Sequence, residues 1–589
     1  MKNSKLFDLG RSYLFSMAFI VFVHSVQASE FIAGCDGFTG DVDALRSAIE
    51  MANDESVNPG LDTIQLGSAC IYSITGANNY WYGPNGLPAI SSEISIQGNG
   101  ATLARQGSSG NFRIFYVSGG LSGLPSGLLT ITNATISGGV AKGGNGGGGG
   151  GAGMGGAIFN QGGLLLVGVT LTQNEASGGE ATGSAGGGGI GQDALSNGNG
   201  GGFGGVFPGG GGGAGGSGST TSGGGGGGGF SSTSNGSNAG GPSAGNGGGT
   251  SGLGGNGGGG VRLPGIGGDG GGGGGGNAQG SNPGGSGGNF GFGGRGDGST
   301  GGGWGGGGGV GGGGGRSAVN GQGGGGGGFG AGGGLPNGSG GFGGGGAAPG
   351  FGAGNGGAGM GGAIFNHNGS IEIVNTTIAF NTARGGDATP PGKGLGGGIF
   401  NLNGSVTLTN TTIAANRVIT PGGAGSGGGI YNVGYLQSTA GGLSSIASIV
   451  LQNTILTGST DDGGPVTDME TVQPNTLRNG AVNIGTAPVY VNSHDIITMP
   501  GSITGALSIA PLLGPLQNNG GLTSTMALLP GSPAIDSGDP CASGLPQFDQ
   551  RGPNFPRVWN SVPDIGAYEF GSPFDLIFAD GFEANESCP

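Results

Sequence analysis

The sequence predicts an all-β repeat fold, a parallel β-helix, from two recurring patterns and the alternation of apolar residues inside them. Four near-copies of one hexapeptide punctuate the chain: Gly-Gly-Ala-Ile-Phe-Asn at 155–160 and 361–366, Gly-Gly-Gly-Ile-Phe-Asn at 396–401 and Gly-Gly-Gly-Ile-Tyr-Asn at 427–432. Such recurrence marks stacked units that bury their apolar faces against one another. The second pattern is hydrophobic-x-Asn-x-x-hydrophobic: Ile131-Asn133-Ile136, Ile373-Asn375-Ile378, Leu408-Asn410-Ile413 and Leu451-Asn453-Leu456, with Leu166-Gly168-Leu171 as a glycine variant. Across 370–381, alternation points Ile371 and Ile373 inward, breaks at Asn375 and resumes with Ile378 and Phe380 inward. Two short strands meeting at a bend fit that change of phase. Asn and Gly enter left-handed backbone conformations cheaply, so Asn133, Asn375, Asn410 and Asn453 are assigned to bends. Asparagines stacked at equivalent bends are expected to bond from one repeat to the next.

Residues 1–28 read as a secretory signal: Lys2, Lys5 and Arg11, then an apolar run from Tyr13 to Val23, then the small-residue site Val26-Gln27-Ala28. The mature chain is expected to be secreted or held at a bacterial outer surface, with no transmembrane segment. Residues 29–142 read as an N-terminal cap and the first repeats. Within them 41–53 places Leu45, Ala48, Ile49 and Ala52 at helical spacing behind acidic residues. Strands are expected at 62–66 and 93–97, where polar and apolar residues alternate.

Residues 143–357 are a glycine-rich, low-complexity insertion containing one repeat segment near 153–175. With so little apolar area to offset ordering entropy, the tract is expected to be flexible or weakly ordered, a long loop between adjacent repeats. Repeats resume over 358–528, followed by a C-terminal cap at 529–571 and a tail at 572–589. In the cap, Asp549, Arg551, Arg557, Asp564 and Glu569 read as an ion-pair network, because charges buried there must be paired. Cys35 and Cys70 near one end, and Cys541 and Cys588 near the other, are candidate disulfides; two local bridges are the simplest pairing, and sequence does not fix it.

Three stretches carry family resemblances. The Gly-Gly-Ala-Ile repeats resemble those of polymorphic outer-membrane proteins and related bacterial surface proteins with a right-handed parallel β-helix, a pectin lyase-like fold. The stretch Cys35, 44–53 and 62–66 is similar to the Cys-Ser-Leu-Arg-Glu-Ala domain that precedes such helices, with the cysteine displaced upstream. The segments 529–539, 549–552, Arg557 and 564–569 resemble the choice-of-anchor Q domain of secreted bacterial proteins. Residues 574–583 look like a C-terminal segment of exported proteins in some Gram-negative bacteria. Together the resemblances imply a right-handed helix and a secreted or surface-displayed protein; they imply no catalytic residue.

Composition narrows the function. The formal charge is −15, only 16 residues are basic and none cluster, so nucleic acid has no electrostatic footprint to bind. Neither cofactor nor metal site is expected: there is no Cys-x-x-Cys, and only His367 and His494 follow the signal. Polysaccharide lyases and hydrolases of this shape need carboxylate clusters. Asp461-Asp462 is the one pair of adjacent aspartates and sits in turn-like sequence, so no catalytic residue is assigned. Arg295-Gly-Asp297 spells an adhesive tripeptide but arises readily by chance in this tract. Stacked threonines such as Thr377 and Thr412, in repeated outward phase, raise a third reading, ice binding. The leading expectation is a structural or adhesive role, with a cell-surface or extracellular polysaccharide, or a host or matrix component, as partner; the alternative is polysaccharide binding or degradation.

Overall fold

The computed structural model describes residues 28–107, 110–120, 124–182, 187–194, 202–203, 327–334, 337, 340–345, 355–434, 447–472 and 489–571. Residues 1–27, the Arg295-Gly-Asp297 tripeptide, Cys588 and the tail lie outside them. The chain is mostly β and its long sheets are parallel. One sheet runs in the order Glu30–Ala33, Asp62–Leu66, Glu93–Gln97, Leu128–Thr132, Gly163–Val167, Ser370–Val374, Ser405–Thr409, Ser448–Gln452 and Val489–Ser493. A second, ten-stranded sheet takes the short strand that follows each of these from Thr102–Arg105 to Ile496–Ile497. A third collects the Ile-Phe-Asn segments: Phe115–Val117, Ile158–Asn160, Ile364–His367, Ile399–Leu402, Ile430–Val433 and Met469–Val472. A fourth pairs Val140–Lys142, Glu175–Ser177, Thr382–Arg384 and Arg417–Ile419.

Register survives the glycine tract. Ile158, Phe159 and Asn160 pair with Ile364, Phe365 and Asn366, and Gly163–Val167 pairs residue for residue with Ser370–Val374. The tract leaves after Ser177 and returns at Gly359, the same connection that 143–152 and 385–393 make between strands in neighbouring repeats. It is an extended version of one recurring loop. Ile158, Leu164, Leu166 and Leu171 join Ile364, Ile371, Ile373 and Ile378 in one continuous apolar core. At the N-terminal end the helix Val42–Ala52, capped by the Asp41 carboxylate on the Ala44 amide at 2.9 Å, buries Leu45, Ala48, Ile49 and Ala52 in that core. Cys35 and Cys70 form a disulfide beside it. Among the described residues no helix is long and apolar enough to cross a membrane.

The bends are left-handed at Asn133, Gly168, Asn375, Asn410 and Asn453, with φ between 46° and 67°. His494 takes the same position at 52°, so the bend is less selective than the Asn/Gly pattern implies. Phe380 departs from the alternation: it occupies a second left-handed corner at φ 60° and is 45% exposed instead of inward. That corner reverses the phase two residues after Ile378, which the binary pattern does not encode.

The asparagine ladder is also not where the bends are. Amide-to-amide bonds link Asn160 to Asn366, Asn366 to Asn401 and Asn401 to Asn432, each at 2.8 Å, all from the hexapeptide. A parallel ladder joins Asn174 to Asn381 at 2.9 Å and Asn381 to Asn416 at 3.0 Å. All seven asparagines are buried. The bend asparagines instead turn their amides outward, because a left-handed residue swings its side chain off the inner face. Near the C-terminal end carboxylates take over: Asp468 accepts the Ser459 and Met499 amides, and Asp495 accepts those of Thr454 and Ser493.

Two outcomes follow from this interior. Asn401→Ala strands one Asn366 amide hydrogen and the Asn432 side-chain oxygen in the core, at about 1–3 kcal/mol for each orphaned group; denaturant titration should show that loss, whereas Asn133→Gly, which keeps the left-handed bend and removes a side chain with no hydrogen bond among the described residues, should change little. Burial pushes Asp495 up to about 7, with its two amide donors pulling it back down. Its native state therefore holds a proton that the unfolded chain has lost between about pH 4 and 7. Its contribution to stability is full below about pH 4 and is lost as pH rises through 7. Hydrogen exchange of 489–497, corrected for intrinsic rate, should show weaker protection at pH 8 than at pH 5, and Asp495→Asn should flatten that slope.

Candidate functional site

The C-terminal segment expected to cap the end of the stack lies along its flank instead, across four successive repeats. Thr523 donates to the Gly168 carbonyl at 2.9 Å and Thr170 donates to the Ser524 carbonyl at 2.7 Å. One repeat on, Asn375 donates to the Phe548 carbonyl and Thr377 to the Gln550 side chain, both at 2.6 Å. Then Thr412 accepts the Ala567 amide at 3.0 Å and Asn410 donates to the Asp564 carbonyl at 3.4 Å. Finally Asn453 exchanges two bonds with the Asp539 backbone, at 2.6 and 3.1 Å. The outward amides of the bends are thus docking groups for this strap. Thr377 and Thr412 lie beneath it, fully buried, which removes the threonine face that ice binding requires.

Asp549, Arg551, Arg557, Asp564 and Glu569 of the strap meet in one buried cluster. Arg551 pairs with Asp549 at 2.7 Å, donates to the Glu569 carbonyl at 2.6 Å and lies between the rings of Phe555 and Tyr568, 3.9 and 3.8 Å from their centroids. Arg557 sits 3.7 Å from the Glu569 carboxylate and donates to the Asn375 side-chain oxygen Oδ1 at 2.7 Å, joining cluster to stack. The Glu569 carboxylate accepts the Trp559 and Asp564 amides. Asp564, accepting the Asp536 and Phe570 amides, is pushed up to about 6, chiefly by burial. Every carboxylate has a specific donor, which is what keeps buried charge tolerable. Cys541 is disulfide-bonded.

Another flank, the outer face of the third sheet, is covered by described parts of the glycine tract. Because Ile and Asn of each Ile-Phe-Asn strand point inward, the aromatic between them points out. Tyr116, Phe159, Phe365, Phe400 and Tyr431 form an outer ladder with successive centroids 5.1 to 5.9 Å apart. The tract lays Phe203, Phe329 and Phe342 over this ladder and its neighbour Tyr82, at 6.0 to 6.2 Å. Arg113 is buried at its edge, 5.2 Å from the Phe159 centroid, donating to the Tyr82 carbonyl and Asn85; burial lowers it to about 9.

These described parts of the tract are ordered, contrary to the expectation from composition. A chain of backbone bonds passes from segment to segment: Gly392 to Gly386, Gly386 to Gly357, Gly357 to Gly179, Gly179 to Gly151, Gly151 to Gly144 and Gly144 to Gly189, at 2.7 to 3.1 Å. A Cβ on Gly357 would stand 1.9 Å from the Gly151 carbonyl oxygen, so only glycine permits the approach. In these parts ordering entropy is offset by backbone hydrogen bonds and close backbone contact as well as by the few apolar side chains.

Two open clefts stand out among the described residues. One, of ≈ 370 Å³, lies on the fourth sheet and holds Arg105, Lys142, Glu175, Glu180, Arg384 and Asp387. The other, of ≈ 590 Å³, follows the corner between third and first sheets and is uncharged, lined by Gln161, Asn368, Ser370, Asn403 and Ser405 among others. Asp461 and Asp462 are in neither: Asp462 pairs with Arg417 at 2.9 Å, and Asp461 accepts the Gly463 amide of its own turn. Among the described residues no three His, Cys, Asp or Glu side chains gather as metal ligands.

The glycine packing has a direct consequence. Gly357→Ala should break the tract away from the aromatic ladder and raise binding of a hydrophobic dye, while Gly34→Ala, where an added methyl meets nothing within 4 Å, should leave it unchanged.

Comparison with protein-family models, with curated proteins and with solved structures finds no match to this chain.

Proposed function

We propose that the chain coils as a right-handed parallel β-helix, is exported, and serves a structural or adhesive role in the medium or at the cell surface. The observation that carries this reading is the double cladding of the stack. The strap seals one flank and the tract another, while the outer face of the nine-stranded sheet stays open, with Glu93, Leu128, Ser370, Glu372 and Ser405 exposed. A stack braced on two sides suits a stiff display element. The strand order of the sheets, one strand per repeat in each, supports the coil, and residues 1–28 support export. The interior polar groups are committed to ladders, and Asp461 and Asp462 to a turn, which favours binding over turnover. The charged cleft favours a polysaccharide as partner.

Fractionation of a Gram-negative host expressing the full chain tests the reading. Protein cleaved after Ala28 and reached by protease added to intact cells, or recovered from the medium, is the expected result. Uncleaved protein confined to the cytoplasm would overturn it, and polysaccharide cleavage abolished by Asp461→Asn with Asp462→Asn would replace it with an enzymatic role.

A further inference from the structure

We infer that the cleft on the fourth sheet is a binding site for an acidic saccharide, its carboxylate held by Lys142, Ser177 and Arg384 and its hydroxyls by Glu175 and Glu180. The inference deepens the adhesive reading and rests on it. Lys142, Ser177 and Arg384 are directly paired across three adjacent strands, so their side chains share one face at about 4.8 Å per strand. A hydroxyl therefore stands between two cations. Ser177 is only 8% exposed, yet among the described residues its hydroxyl has no hydrogen-bond partner, and it lines the cleft. Lys142 has no ion-pair partner among the described residues, and Arg384 is held in place by Asp387 at 3.0 Å.

Charge is scarce in this protein, at 8% of residues, which makes six charged side chains in one cleft a concentration that solubility does not demand. The two signs are arranged in different rows. The cationic row runs Lys142, Ser177, Arg384; Glu175 lies in the adjacent row, between Val140 and Thr382, and draws on Arg105. Glu180 stands at the rim contributed by the glycine tract, beside Gly178, Gly385 and Gly386. An inorganic anion would satisfy the first row and be repelled by the second. A sugar acid satisfies both, because its carboxylate accepts from lysine, serine and arginine while its ring hydroxyls donate to the two glutamates. At ≈ 370 Å³ the cleft falls within the range of small-ligand sites.

Calorimetric titration of the mature chain with trigalacturonate, maltotriose and sodium acetate tests this. Trigalacturonate should bind saturably, about tenfold more weakly in Lys142→Ala and measurably more weakly in Ser177→Ala, with both variants keeping the parent melting temperature. Maltotriose should not compete. Equal binding of maltotriose, acetate competing as well as the trisaccharide, trigalacturonate affinity indifferent to Lys142→Ala, or no saturable trigalacturonate binding would each overturn the assignment. Adhesion of cells displaying the protein separates the two ideas: adhesion retained without trigalacturonate binding removes the cleft and leaves the adhesive role standing.

Discussion

Parallel pairing between successive repeats, held in register from Leu128–Thr132 to Val489–Ser493, decides where every other group in the molecule can go. Once backbones stack residue on residue, identical side chains must stack as well. A hexapeptide repeated in sequence then becomes three ladders in space, apolar at Ile, aromatic at Phe and amide at Asn. The isoleucines fill the interior, the aromatics are forced outside, and the asparagines satisfy one another where water is excluded. Each ladder gains from its neighbours what a lone residue of its kind would lose on burial.

The outward ladders create a problem that the rest of the chain solves. A row of stacked aromatics facing water is an association hazard, and the glycine tract covers it. The threonines and bend asparagines on another flank offer unpaired donors, and the C-terminal strap takes them up one repeat at a time. The strap's own charges are buried in the process, which explains why Asp549, Arg551, Arg557, Asp564 and Glu569 are tied down by ion pairs and backbone hydrogen bonds. Arg557 is the joint between the two systems, since it touches both Glu569 and Asn375.

Much of this was legible in the sequence. The repeats gave the parallel β architecture, the left-handed bends followed from Asn and Gly, and the clustering of the five strap residues followed from the need to pair buried charge. What composition hid was arrangement. Asparagines occur in both the hexapeptide and the bends, and only the phase of alternation distinguishes inward from outward; the left-handed corner at Phe380 shows how one backbone turn resets that phase. The strap read as an end cap because nothing in its residues encodes a direction along the stack. Low complexity suggests disorder in the tract because a glycine-rich sequence offers little apolar area to offset its ordering entropy. Gly357 and its neighbours achieve order through backbone contacts that a side chain would forbid. The charged cleft was invisible because Lys142, Ser177 and Arg384 are far apart in sequence and meet only through strand pairing.

The central claim is that repeats separated by the glycine tract are immediate neighbours in register, and a cross-link tests it most directly. Leu165 and Glu372 are paired on the outer face of the first sheet. With Leu165→Cys and Glu372→Cys, a thiol cross-linker of about 5 Å span, matched to adjacent strands, should join the two positions within one chain, and peptide mapping should find that single link. Failure to join them, or linkage of position 165 to a different strand, would contradict the account.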